Sequence, residues 1–266
     1  MTTDEIIFLK LGGSLVTNKT GVEEVRVEVL ERLALEIQQA RLKRTDLQLI
    51  VGHGSGSYGH VAADRYGTRQ GVHSREEWHG FAEVSASAAR LNALVKQSLL
   101  DAGIPALTLQ PSASAHCVNS QITSLAWKPI KLALDAGLVP IIHGDVAFDA
   151  VRGGTIISTE EILTFLASKI RPRWLLLAGE TKGVLDPSGE VIPVITQNNI
   201  EQIKSSLKGS RGTDVTGGMQ SKVMQMIDLV SSDANISVRI FSGLEEGLVR
   251  RALVQDPEIP GSVIAG

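Results

Sequence analysis

One cysteine, Cys117, is all the chain has, so no intrachain disulfide can form and a reducing compartment is the expectation. A lone thiol and scattered histidines also cannot build a zinc-type cluster. No apolar run approaches the length that spans a membrane. The formal net charge of -3 gives no reason to expect nucleic acid or an acidic membrane surface as partner. Met1-Thr2-Thr3-Asp4-Glu5 lacks the basic, apolar and small-residue regions of a signal peptide, so a soluble, cytoplasmic protein is expected. Low-complexity segments and repeats are missing too. What remains is ordinary for a soluble enzyme: 266 residues, 43% hydrophobic and 21% charged. That is enough for one large domain, or two closely joined lobes, with ample core.

Against this plain background Gly52-His53-Gly54-Ser55-Gly56-Ser57-Tyr58-Gly59-His60 stands out. It follows Leu47-Gln48-Leu49-Ile50-Val51, which reads as a buried strand. Glycines let a backbone approach a ligand closely, and a helix opening beyond Gly59 would turn unpaired N–H groups toward an anion. A flexible strand-to-helix turn is the bland alternative. The spacing Gly54-x-Gly56-x-x-Gly59 also fits a dinucleotide fingerprint, but the second strand and acidic residue that should follow are absent. Neither a Walker ending nor the catalytic loops of a protein kinase are present. The loop reads as a phosphate cradle of another kind, with His60 at its rim.

The rest of the chain alternates strands and helices. Ile6–Leu11 is a buried strand running into Gly12-Gly13-Ser14. Helices are expected over residues 25–43, 76–102 and 128–136, and strands at 106–109 and 138–145. An irregular polar stretch extends to Thr123, and residues 146–157 read as a hairpin about Arg152-Gly153-Gly154. Ser158 or Thr159 caps a helix with Glu160 and Glu161 in its first turn. A strand at 174–178, helices near 199–207 and from 220, a strand at 238–241 and a helix near 248–254 complete the pattern. The class is α/β, with a mainly parallel central sheet sandwiched by helices. Residues 157–173 are the expected seam between an N-terminal and a C-terminal half. In such sheets ligands gather beyond the carboxyl ends of strands, and glycine-bearing ends follow Leu11, Val51, Ile142 and Ala178.

Two lysines are oddly placed. Lys10 ends a buried strand, where an unpaired charge is costly, unless it is an edge residue snorkelling to water. Lys222 lies in the first turn of a helix, an end already partly positive, after Thr216-Gly217-Gly218-Met219. An anion shared between them accounts for both, and a polyanion spanning the two halves points to ATP. Lys19 sits in a polar turn and alone is an ordinary surface residue.

Together Lys10-Leu-Gly-Gly-Ser14, the glycine loop, Gly144-Asp145 and Thr216-Gly-Gly-Met-x-x-Lys222 resemble the amino acid kinase superfamily. Gly54-Ser-Gly-Ser-Tyr-Gly-His60-Val, with Tyr66-Gly67 and Gly71, is most similar to its isopentenyl phosphate kinases, and the likeness runs from Lys10 to about Phe241. The resemblance implies a three-layer αβα sandwich, commonly a homodimer. It implies an acceptor lobe at about residues 1–157, an ATP lobe at about 158–266, and Mg2+ with the nucleotide. By the same resemblance Lys10 and Lys222 hold the transferring phosphoryl group and Lys19 reaches the γ-phosphate. Leu11, Gly12, Gly13, Ser14, Gly56 and Gly217 would border ATP, and Ser55, Gly59, His60 and Gly144 the acceptor phosphate. The chain departs from the family in having Glu160-Glu161 where an Asp-Asp pair is usual, and Gly179-Glu180-Thr181-Lys182-Gly183 where T-D-V-D-G is usual.

The reaction implied is transfer to isopentenyl phosphate, a small prenyl phosphate of isoprenoid synthesis. A phosphate monoester is mostly a dianion at neutral pH, its second pKa being about 6, so its oxygen needs no base. Catalysis reduces to positioning and neutralising two anions, and His60 fits as a phosphate clamp. Phe81 and Val84, on a helical stripe that would ordinarily be core, are expected to line the prenyl pocket. The other readings are a sister kinase acting on a phosphonate such as fosfomycin, a non-catalytic nucleotide-binding relative and, more distantly, a dinucleotide-dependent oxidoreductase.

Overall fold

The computed structural model describes residues 5–207 and 218–266, with side chains except at residues 60–62 and 204–207. The chain begins with β1 (Ile6–Leu11), a one-turn α1 (Gly13–Val16) and α2 (Val27–Lys43). Next come β2 (Gln48–His53), α3 (His60–Tyr66) and the long α4 (Arg75–Asp101). Short strands β3 (Ala106–Thr108), β4 (His116–Val118) and β5 (Gln121–Ser124) precede α5 (Trp127–Asp135). The middle of the chain is β6 (Val139–His143), β7 (Asp145–Asp149), β8 (Gly153–Ile157), α6 (Thr159–Ile170) and β9 (Trp174–Gly179). It closes with β10 (Val194–Ile195), α7 (Ile200–Leu207), α8 (Gly218–Ser232), β11 (Ser237–Ser242), α9 (Leu248–Leu253) and β12 (Ser262–Ile264).

Eight strands form the main sheet in the order β10-β12-β11-β9-β1-β2-β6-β3, and only the β11–β12 pairing is antiparallel. The strands that end in glycine-bearing turns, β9, β1, β2 and β6, are neighbours at its centre. Side chains alternate across the pleat. Ile7, Leu9 and Leu11 of β1 face a core shared with α1, α2, α4 and α9. Phe8 faces the opposite core, with α5, α6 and α8, so Lys10, two residues on, points toward the helices that carry Glu160 and Lys222. Helices cover both faces, and the architecture is the expected three-layer αβα sandwich.

Two departures have local causes. α2 begins at Val27, because Val25 is drawn into a bridge with Thr17 that closes the hairpin holding Lys19. The stretch read as irregular up to Thr123 contains a hairpin, β4–β5, whose turn residues Asn119 and Ser120 both have positive φ. The Asp149 carboxylate, buried on β7, accepts both of their N–H groups and fixes a turn that carries no glycine. The helix expected after Ser158 or Thr159 is α6, capped by Ser158, and its Ile162, Leu163 and Leu166 are fully buried against the sheet.

Candidate active site

Glu160 is the hinge of the site. Ser158 and Glu161 make a reciprocal capping box at the start of α6: the Ser158 hydroxyl accepts from the Glu161 N–H and the Glu161 carboxylate accepts from the Ser158 N–H. Glu161 is therefore turned back toward the cap, where it also pairs with Arg69 at 2.9 Å. Glu160, one position earlier, is rotated about 100° round the helix by its 3.6-residue period and faces the sheet. Its Oε1 accepts a hydrogen bond from Lys10 Nζ at 2.8 Å and lies 3.8 Å from Lys222 Nζ. Burial pushes the Glu160 carboxyl up, but the Lys10 and Lys222 charges and the Lys10 hydrogen bond outweigh it and hold it below the usual range. Lys10 and Glu160 are buried, whereas Lys222 is partly exposed. Two ammonium groups thus converge on one carboxylate. Of the Glu160-Glu161 pair, Glu160 contacts the lysines and Glu161 contacts Arg69.

The two glycine turns meet beside this cluster. A Cβ on Gly13 would stand 2.4 Å from the Gly56 nitrogen, and one on Gly54 would stand 2.8 Å from the Gly13 nitrogen. Gly56 has φ +49°, and a Cβ there would be 2.0 Å from Thr17 Oγ1. Part of the reason for these glycines is thus the mutual approach of two loops. Thr17, unremarked in the sequence, fastens them: its hydroxyl donates to the Gly13 carbonyl at 2.8 Å and accepts from the Ser57 N–H at 3.0 Å. Gly12 N–H donates to the Ala178 carbonyl at 2.8 Å, tying the first turn to the end of β9. Among the described residues, a Cβ at Gly179 would meet nothing nearer than Thr181 N at 4.0 Å, and one at Gly218 nothing within 4 Å. Neither glycine is crowded among the described residues, so the backbone there fits the close approach of a nucleotide.

The remaining expected residues fall into distinct settings. Leu11 is core, leaving only its backbone to border a ligand, and its carbonyl already accepts from the Gly54 N–H at 3.0 Å. Ser14 is half-buried and its carbonyl accepts from Arg26 at 3.3 Å. Ser55 and Gly59 are in contact across the short turn at residues 56–58, where a Cβ on Gly59 would be 2.6 Å from Ser55 Oγ. His60 opens α3 directly after that turn, and its side chain lies outside the described residues, as does all of Gly217. Gly144 packs against the start of α6, with Thr159 N 3.5 Å from where its Cβ would be. Its neighbour Asp145 is buried and held by Ser85 at 3.0 Å and by the Ser112 N–H at 3.1 Å, so it serves as a structural carboxylate.

Lys19 is not brought into the Lys10 cluster. It sits on the exposed hairpin, 3.1 Å from Glu180 Oε2, and Arg26 binds the other carboxylate oxygen at 3.2 Å. Phe81 and Val84 are buried with Val72 and Val146 in a satellite core, and Phe81 packs with Trp78 and Phe148 at centroid distances of 5.2 and 5.4 Å. Among the described residues no group of three or more His, Cys, Asp or Glu side chains is arranged to hold a metal ion. No described helix is long and apolar enough to cross a membrane.

Residues 5–242 match the model of the amino acid kinase family. The chain is 32% identical to isopentenyl phosphate kinase of Methanocaldococcus jannaschii, over 95% of this chain and 96% of that protein. It is 35% identical to isopentenyl phosphate kinase of Haloferax volcanii, over 98% of this chain and 99% of that protein. A solved structure of an isopentenyl phosphate kinase superposes with a TM-score of 0.82 at 27% identity, over 97% of this chain and 100% of that one. The chain belongs to the amino acid kinase family.

Proposed function

We propose that the protein transfers the terminal phosphoryl group of ATP to isopentenyl phosphate, giving isopentenyl diphosphate and ADP. The observation that carries this reading is the shared carboxylate: Lys10 and Lys222, 212 positions apart by their numbers, converge on Glu160 beside two interlocked glycine turns. An oxygen of the acceptor phosphate forms the new P–O bond while the bond between the γ-phosphorus and the β,γ-bridging oxygen breaks. That acceptor is mostly dianionic at neutral pH, so no proton has to be removed. The work lies in bringing two anions together, and preorganised cations do it without reorganising at the moment of transfer.

In this reading Lys10 and Lys222 flank the migrating phosphoryl group, and Glu160 keeps both ammoniums aimed while lowering their mutual repulsion. The N-terminal lobe, about residues 1–157, takes the acceptor, with Ser55, Gly59, His60 and Gly144 at its phosphate. The C-terminal lobe, about 158–266, takes ATP, with Gly12, Gly13, Gly56 and Gly217 along the phosphates. Lys19 would leave Glu180 for the γ-phosphate, an exchange its exposed position permits. The apolar cluster around Phe81 and Val84 supports a prenyl tail beside α4. Magnesium would be held mainly by nucleotide phosphates and water, the usual habit of that ion. A homodimer rests on the family resemblance, and a cytoplasmic location on the single cysteine.

The deciding experiment is an acceptor screen with labelled ATP, in which isopentenyl phosphate should be converted and fosfomycin left untouched. In the same assay His60→Ala should abolish most turnover while ATP binding persists. Equal rates on both acceptors, or an unimpaired His60→Ala protein, would overturn the assignment of acceptor or clamp respectively.

A further inference from the structure

On the sheet face opposite Lys10, two histidines outside the roles above lie stacked under the glycine turns. His53 ends β2 and His143 ends β6, and the two are register partners. Both are buried, with ring centroids 5.5 Å apart and planes within 20°. Each Nδ1 reaches the carbonyl of the glycine that follows it: His53 to Gly54 at 3.1 Å, His143 to Gly144 at 2.9 Å. A carbonyl only accepts, so Nδ1 carries the proton in both rings. Burial, then the neighbouring His143, pushes the His53 pKa down to about 3, so His53 is neutral and its Nε2 has a bare lone pair. That nitrogen faces Asn92 Oδ1 at 3.2 Å, and Asn92 Nδ2 donates to Thr108 Oγ1 at 2.9 Å. An amide oxygen cannot donate to that lone pair, so the neutral ring requires the Asn92 amide turned over, its nitrogen donating to Nε2 and its oxygen accepting from the Thr108 hydroxyl, which satisfies all of these groups.

The consequence falls on the loop. In a trans peptide the C=O and the following N–H point in opposite directions. No cis peptide occurs among the described residues. Fixing the Gly54 carbonyl on the His53 ring therefore aims the Ser55 N–H away from it. The Gly54 N–H is already committed to the Leu11 carbonyl, and Thr159, next to Glu160, donates to the His53 carbonyl at 2.6 Å. The peptides on both sides of Gly54 are thereby held from within the protein.

We infer that His53, with His143 stacked upon it, is a positioning residue that orients the glycine loop's backbone donors toward the acceptor phosphate. This rests on the reading that the acceptor binds at Ser55 and Gly144. Asn92 extends the linkage to α4, the helix that carries Phe81 and Val84, so the tail side and the phosphate side of the acceptor site share one hydrogen-bonded strut.

Asparagine and glutamine separate this role from packing, because the Asn amide nitrogen superposes on Nδ1 and the Gln amide nitrogen on Nε2. His53→Leu and His53→Gln should raise KM for isopentenyl phosphate about tenfold or more, the effect of one lost positioning hydrogen bond. KM for ATP should stay within about twofold, and His53→Asn should recover most of the loss. Parallel rises in both KM values, or an Asn variant no better than Leu in folded protein, would overturn the inference. Nitrogen-15 NMR of the wild-type imidazole supplies an arm independent of the substrate: a proton on Nδ1 supports the strut, and one on Nε2 refutes it. If the wild type converts a different phosphorylated acceptor, the reading of the substrate fails, and the same variants are compared on that acceptor.

Discussion

Two ammonium–carboxylate pairs at the same end of the sheet are nearly equal in length and opposite in character. Lys10 and Glu160 meet at 2.8 Å with side chains 9% and 9% exposed, whereas Lys19 and Glu180 meet at 3.1 Å with side chains 70% and 32% exposed. Water screens the second pair, and ion pairs of that kind contribute about 0–1 kcal/mol. The first pair has given up hydration on both sides, and its attraction and hydrogen bond must offset that penalty. A buried charge pair is a poor way to stabilise a fold when an apolar pair of similar volume would serve. What sets it apart is a second cation, Lys222, whose ammonium lies 3.8 Å from the same carboxylate oxygen, the arrangement on which the proposed phosphoryl site rests. The exposed pair is suited to the opposite task, letting go of one partner for another.

The largest effect should come from removing the buried cation. Lys10→Met is expected to lower kcat about 100- to 1,000-fold, the usual range for losing one preorganised donor to a charged transition state. Steady-state kinetics with both substrates would check this, and a kcat within about threefold of wild type would take Lys10 out of the phosphoryl path.

Next comes the carboxylate between the lysines. Glu160→Gln leaves two ammoniums facing an uncharged amide, and breaking a buried pair in this way costs about 3–5 kcal/mol. The pH dependence has a definite sign. Because Glu160 is held below its ordinary value of 4.5 in the folded protein, its stabilising contribution is present above that value and lost as pH falls through the lower folded pKa. The gap in denaturation midpoint between wild type and Glu160→Gln should be widest at neutral pH and shrink in acid below about 4.5. A gap that widens on acidification would show that Glu160 is not the paired carboxylate described.

These contrasts mark what could be read in the sequence and what could not. The αβα order, the strand ends that carry glycine and the oddity of Lys10 are local signals, and each survives folding because apolar periodicity and turn chemistry act over a few residues. The Ser158-x-x-Glu161 spacing was also local, and followed through it would have singled out Glu160, since a residue occupied in capping cannot face the sheet. The Glu180 tether of Lys19, the Thr17 fastening and the His53–His143 stack join residues 40 to 161 positions apart by number. No window of sequence contains them. The β4–β5 hairpin was missed for a different reason: its turn relies on a distant carboxylate, Asp149, in place of the glycine that usually signals positive φ.

The smallest effect, and the sharpest test of the contrast, belongs to the exposed pair. Lys19→Ala removes a screened interaction, so the melting midpoint should report a change within about 0.5 kcal/mol. KM for ATP should nevertheless rise about three- to tenfold if Lys19 moves to the γ-phosphate, since one screened cation–phosphate contact is worth roughly that factor. Glu180→Gln ought to act in the other direction, because it releases Lys19 from its resting partner and lowers KM for ATP or leaves it unchanged. Raising the salt concentration should shrink both differences, as it does for charges that face water. If Lys19→Ala instead destabilises the fold as strongly as Glu160→Gln does, the hairpin is a structural clasp and the distinction between a fixed and an exchangeable cation is lost.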